Sequence, residues 1–192
     1  MENIMDLIKT RRSIRKYKID MPEDDLINNV ISAGIMAPSS LNRQPWRFVV
    51  VKTSENRETI INEAKNELGN FLKTDDAKIR WGDKIEHFKA RATDEGDTIF
   101  YNAPVIIFII QTVDLGNTFD HGLASQNMMI AAHGLGLGTC PIGLAKPLEN
   151  SSIARKVLEL KPEENIILGL CLGYPDQTSP VKERNFDVVT YI

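Results

Sequence analysis

The stretch 120–135 constrains the fold most. Leu123, Ala124, Met128, Met129, Ile130, Ala131, Ala132 and Leu135 leave no wide polar face at helical spacing. A helix that is apolar nearly all round has to be buried nearly all round. In a chain of 192 residues this implies a central helix that is covered in part by a second subunit. Gly134, Gly136 and Gly138 follow it. A dinucleotide fingerprint needs a strand before its glycines and a helix after them. Here the order is reversed, so the glycines mark helix termination and tight backbone passage.

Strands belong around that helix. The run 105–110 is continuously apolar and reads as a buried strand, as does 166–172. Phe48 to Val51 forms a shorter run of the kind covered on both faces. Asn3 is placed to cap a short helix through Lys9, and Lys16 to Ile19 alternates as extended chain does. Pro22 and three acids open a helix through Val30 and Ala33, which Pro38 ends. Thr53 or Ser54, and Ser151 or Ser152, are placed to cap two more helices. The length suits one domain over 1–192. Its charged stretch at about 74–97, with Trp81 and Phe88, is a helical excursion.

Net charge is −3, which disfavours nonspecific nucleic-acid binding. No apolar run is long enough to span a membrane, and no signal-peptide pattern is present. Cys140 and Cys171 lack metal or redox spacing, and the three histidines have no partner spacing for a metal site. These features imply no metal centre and a reducing, cytoplasmic location.

Against this acidic background Arg11-Arg12-Ser13-Ile14-Arg15 gathers three guanidinium groups and a hydroxyl. Guanidinium forks fit phosphate in two-point contacts, and Ser13 can add a donor. The same residues also suit a helix C-terminus, where cations contribute roughly 0.3–1 kcal/mol. A second polar constellation lies at Pro38-Ser39-Ser40-Leu41-Asn42-Arg43-Gln44-Pro45-Trp46. Its hydroxyls and amides both donate and accept. It lacks carboxylates, thiols and histidines, so it suits recognition of a polar, partly anionic ligand more than acid–base chemistry. It also suits a turn whose side chains bond their own backbone.

In this order, Arg11-Arg12-Ser13-Ile14-Arg15-Lys16-Tyr17 and Pro38-Ser39-Ser40-x-Asn42-x-Gln44-Pro45-Trp46 resemble the nitroreductase family of flavoproteins. The stretches 124–138, 140–144 and 182–189 extend the resemblance over nearly the whole chain, most weakly at 74–97. It implies an α+β fold with a central, mostly antiparallel sheet flanked by helices. It also implies an intertwined homodimer with FMN at the subunit interface.

By that resemblance Arg11, Ser13, Lys182 and Arg184 hold the FMN phosphate. Arg12 contributes through its backbone or toward the ribityl chain, and Arg15 lies near the pyrimidine edge of the ring. Asn42 and Gln44 bond ring or ribityl atoms, while Pro38, Ser39 and Ser40 approach the flavin bound mainly by the other subunit. The loop of Pro141, Ile142, Gly143 and Leu144 passes close to the ring. Two departures stand out. Many members carry Pro-x-Glu-Gly where this chain has Pro141-Ile142-Gly143-Leu144. Some place an Asn and a Lys where Thr98-Ile99-Phe100 stands.

The implied activity is hydride transfer from NADH or NADPH, with electrons passed on to nitroaromatics, quinones or related acceptors in ping-pong fashion. No protein acid, base or nucleophile is required. Two alternatives stay open: a same-fold flavin-fragmenting or reductive dehalogenating enzyme, and a flavin-binding protein without turnover. The excursion at 74–97 suits a cover over the active site or a solvated flap.

Overall fold

A computed structural model describes residues 3–114 and 118–192. α1 (Ile4–Thr10) begins at Asn3, whose side chain accepts from the Met5 N–H. An extended stretch follows, bridging Ser13 to Thr139 and Tyr17 to Pro175. α2 (Asp24–Ile35) opens with two acids in its first turn, which complement the dipole. It stops at Ile35, because the residue before Pro38 is excluded from the α region. β1 (Trp46–Val51) leads to α3 (Ser54–Phe71), capped by Thr53. The excursion is more regular than its composition suggests. It consists of α4 (Asp75–Trp81) and α5 (Ile85–Thr93), joined by one tight turn.

β2 (Val105–Gln111), α6 (Phe119–Gly134) and β3 (Gly138–Ile142) come next. A 3-10 segment, Gly143–Asn150, then leads to α7 (Ser152–Val157), capped by Ser151. β4 (Asn165–Gly173) closes the sheet, and residues 174–192 form no helix or strand. No described helix is long and apolar enough to cross a membrane.

The sheet order is β1-β2-β4-β3, and every pairing is antiparallel. β2 is buried along its whole length. Its alternate residues serve two cores, as the two-residue period of a strand dictates. Ile106, Phe108 and Ile110 pack with α3 and α7, whereas Val105, Ile107 and Ile109 pack with α2 and α6. That division explains why 105–110 reads as unbroken apolar sequence. The run from Phe48 to Val51 packs on both faces, Val49 and Val51 toward one core and Phe48 and Val50 toward the other. β1 is an edge strand, and Arg47 to Val50 are only half-buried.

α6 runs across one face of the sheet with Ala124, Met128 and Ala132 fully buried. Its other side is covered only in part by the described residues. Phe119 is 70% exposed, and Leu123 and Ile130 are only partly covered. The apolar surface of α6 therefore exceeds what a single chain can bury, as its lack of a polar face predicts.

Candidate functional site

The segment from Arg11 to Tyr17 lies along the outer edge of β3. The Ile14 N–H donates to Thr139 O at 2.9 Å, and the Arg15 N–H donates to Gln177 Oε1 at 3.1 Å. Gly138 permits this approach, since a Cβ there would stand 2.6 to 2.8 Å from Ile14 side-chain atoms. Gly136, at φ +75°, supplies the left-handed residue just after α6 ends. Both ends of the chain meet at this edge.

The guanidinium of Arg12 donates to Lys9 O at 2.7 Å, Arg11 O at 2.6 Å and Pro180 O at 3.2 Å. It thus closes the C-terminus of α1 and pins the tail. Arg11 is different. Its Nη1 is buried and has no partner among the described residues. A cavity of about 470 Å³ brings Arg11 together with Lys182 and Arg184, beside Ile8 and Phe186. Burial first, then the charges of Arg12 and Arg184, lowers the pKa of Arg11. None of these cations belongs to an ion pair among the described residues. Gathering like charges is unfavourable unless an anion sits among them. Burial pushes up the pKa of the Cys140 thiol, against the opposing influence of the Ser13 side chain.

Farther along β3, Pro141 and Gly143 are exposed, Ile142 is buried and Leu144 half-buried. A side chain at Gly143 would meet nothing within 4 Å, so its backbone faces open space. A cavity of about 490 Å³ opens beside Gly143 and Leu144, lined also by Phe71, Trp81 and Phe88. These aromatics, scattered in sequence, form one cluster. Trp81 stacks on Phe88 at 4.1 Å and meets Phe71 edge-on at 5.3 Å. Sequence inspection missed two neighbours of Arg15. Tyr101 holds the Arg15 guanidinium over its ring, and Arg91 shares that ring. The only local signal was the turn composition of Tyr101-Asn102-Ala103-Pro104.

The 38–44 loop is held in an uncommon conformation. Leu41, Asn42 and Gln44 all have left-handed φ, at 52°, 54° and 47°. Such residues persist where their surroundings over-determine them, and they cluster at functional sites. The Gln44 N–H donates to Ser39 Oγ at 2.9 Å, and the Ser40 N–H to Asp120 Oδ2 at 3.1 Å. His121 Nε2 lies 2.9 Å from Pro45 O, and burial lowers the His121 pKa. Part of the loop's polarity therefore satisfies its own backbone. Pro38, Ser40, Asn42 and Gln44 remain exposed.

Within one chain the two constellations stand at opposite ends of α6. Asp120 and His121 hold the loop at its N-terminus. At its C-terminus His133 Nε2 lies 2.9 Å from Thr10 Oγ1, and Gly134 packs on Leu7. Sixteen helical residues separate them, roughly 24 Å at 1.5 Å per residue. Arg11, Arg12, Lys182 and Arg184 are together, and Ser13 joins the strand that carries Pro141 and Ile142. The 38–44 loop of the same chain is remote from all of them.

A model of the "Nitroreductase family" matches residues 8–174. The chain is 32% identical over 185 residues to the NADPH-flavin oxidoreductase of Vibrio harveyi, covering 96% of this chain and 70% of that one. It is 27% identical over 194 residues to the iodotyrosine deiodinase of Thermotoga neapolitana, covering 100% and 98%. The fold matches the FMN-bound nitroreductase of Desulfitobacterium hafniense with a TM-score of 0.80, 27% identity and full coverage of both chains. The chain belongs to the nitroreductase family.

Proposed function

We propose that the protein is a homodimeric, FMN-dependent oxidoreductase that takes hydride from NADH or NADPH and reduces nitroaromatic, quinone or related acceptors. The observation that carries this is Arg11, whose buried Nη1 has no partner among the described residues and which shares a cavity with Lys182 and Arg184. A phosphate fits that donor set, because charge-assisted bonds to guanidinium relieve both the orphaned donor and the mutual repulsion. Arg11, Lys182 and Arg184 would hold the phosphate, with Ser13 adjoining it. Arg12 would act through its backbone, since its guanidinium is engaged elsewhere.

Arg15 would face the pyrimidine end of the ring, and the backbone of Pro141, Ile142, Gly143 and Leu144 would line its edge. Pro38, Ser39, Ser40, Asn42 and Gln44 would come from the second subunit, because their own chain holds them a helix length away. Bound FMN supplies the redox chemistry, accepting a hydride and returning the electrons to an acceptor. The residues around it bind, orient and tune. Donor and acceptor use one open site in turn, so the kinetics are ping-pong. Free, buried thiols at Cys140 and Cys171 suit a reducing compartment, and we place the enzyme in the cytoplasm.

Purified protein should be yellow, bleach with NADH or NADPH, and recolour with menadione or a nitroarene. Colourless protein that stays so in excess FMN contradicts the proposal, and colour that never bleaches points to binding without turnover. A second activity, reductive dehalogenation, is favoured by the end-to-end similarity to a deiodinase. Iodide release from 3-iodotyrosine, at a rate matching nitroarene reduction, would establish it.

A further inference from the structure

Two guanidinium groups share the ring of Tyr101. The Arg15 Cζ lies 5.9 Å from its centroid and the Arg91 Cζ 5.4 Å. Arg91 comes from α5, the second helix of the excursion, and is half-buried. Its Nη1 donates to Tyr101 Oη at 2.8 Å and to Thr98 O at 3.3 Å. The Thr98 hydroxyl donates in turn to Arg91 O at 2.5 Å. Nε and Nη2 of Arg91 have no partner among the described residues.

The turn that presents Tyr101 is itself strained. Tyr101 and Asn102 have φ of 59° and 54°. The Asp97 carboxylate holds them there, accepting from the N–H groups of Ile99, Phe100 and Asn102 at 3.1, 2.7 and 2.9 Å. Neither Arg15 nor Arg91 forms an ion pair among the described residues. Fixing a long cationic side chain beside another cation, on a strained turn, costs entropy and Coulomb energy. An anion at that place offsets both.

We propose that Arg91 is a charge-stabilising residue of the FMN site, which with Arg15 favours the reduced cofactor, and that Tyr101 positions both guanidinium groups. This rests on the FMN assignment above. Hydride transfer brings two electrons and one proton to a neutral ring, and the donor leaves as NAD⁺ or NADP⁺. With no second proton, the ring keeps one negative charge. A cation at the pyrimidine end favours that form and raises the reduction potential. Arg91 would thus supply, from α5, the ring-side charge that 98–100 lacks.

The test is the midpoint potential of bound FMN, with the FMN Kd alongside, in wild type, Arg91→Ala, Arg91→Lys and Tyr101→Phe. Arg91→Ala should bind oxidised FMN within about threefold of wild type and should weaken reduced FMN tenfold more than it weakens the oxidised form. For a two-electron couple that is a drop of about 30 mV. Arg91→Lys should recover most of it, and Tyr101→Phe should lose part. Should Arg91→Ala not fold, Arg91→Gln keeps donors, removes the charge and should show the same drop. A flavin-loaded variant with unchanged potential overturns the inference and leaves the FMN assignment standing. An unchanged potential with a selective loss of kcat/KM for 4-nitrobenzoate over nitrobenzene also overturns it, moving the charge to the substrate. Wild-type protein that takes up no FMN removes both.

Discussion

Arg11 and Arg12 are neighbours with opposite fates. Arg12 spends its donors on the end of α1 and on Pro180, whereas Arg11 keeps a buried donor with no partner among the described residues. Replacing Arg11 or Arg184 with alanine should therefore weaken FMN binding by ~1.5–3 kcal/mol, the range for hydrogen bonds to charged groups. Fluorescence titration of apoprotein with FMN measures it, and equal affinity in both variants contradicts the phosphate site. Arg12→Ala should act differently, loosening the tail and lowering Tm along with affinity. At this scale the basic cluster was legible, since three guanidinium groups within five residues are plain in the sequence. Which of them is free was not, because that depends on Pro180 arriving from the other end of the chain. Arg91 was illegible for a similar reason. It sits among other charges on an exposed-looking helix, and only the turn at Tyr101 gives it a partner.

The N-terminal turn of α6 is a clamp on the 38–45 loop. Asp120 accepts from the Ser40 N–H, and His121 pairs with Pro45 O while Trp46 packs edge-on against its ring. Burial holds the His121 pKa below its ordinary 6.5. The unfolded chain therefore binds that proton more readily, and stability rises with pH through this window. The contribution is complete above about pH 6.5 and falls away as pH drops through the lowered folded value. Tm measured between pH 7.5 and 5 should decline, and His121→Gln, which keeps a donor without titrating, should decline less. Parallel curves for the two proteins would contradict this.

Elements were legible where local chemistry decides them. Asn3, Thr53 and Ser151 cap the helices expected of them, and 105–110 is the buried central strand. Position in the sheet was not legible. Phe48 to Val51 is covered on both faces, as its apolar run implies, but nothing in that run told that the strand would lie at the sheet edge. The contact of Trp81 with Phe88 was also hidden, since a tight turn at Gly82–Lys84 brings α4 and α5 together.

Taken whole, the chain carries more apolar surface than it covers. No residue of α1 is buried, with Ile4 58% and Met5 51% exposed. Ile8 lines one cavity with Val181 and Phe186 of the tail, and Phe119 of α6 is 70% exposed. Exposed apolar surface of this extent marks an interface, and the second copy of the chain proposed above would account for it. Sedimentation at low micromolar concentration should show a dimer, and a monomer would contradict that. The unbroken apolar character of 120–135 carries the same expectation.

A cofactor shared between subunits would make a sharper demand. If Arg11 of one subunit and the 38–44 loop of the other hold the same FMN, two defective chains can repair each other. Arg11→Ala disables one half-site. Asn42→Gly with Gln44→Gly removes the other's amides while keeping its left-handed backbone. Each variant alone should bind FMN poorly. Mixed dimers, isolated by two affinity tags after co-expression, contain one intact site and one with both defects, and should hold one FMN per dimer at wild-type affinity. Mixed dimers that bind no better than either parent would place each site within a single chain and contradict the account.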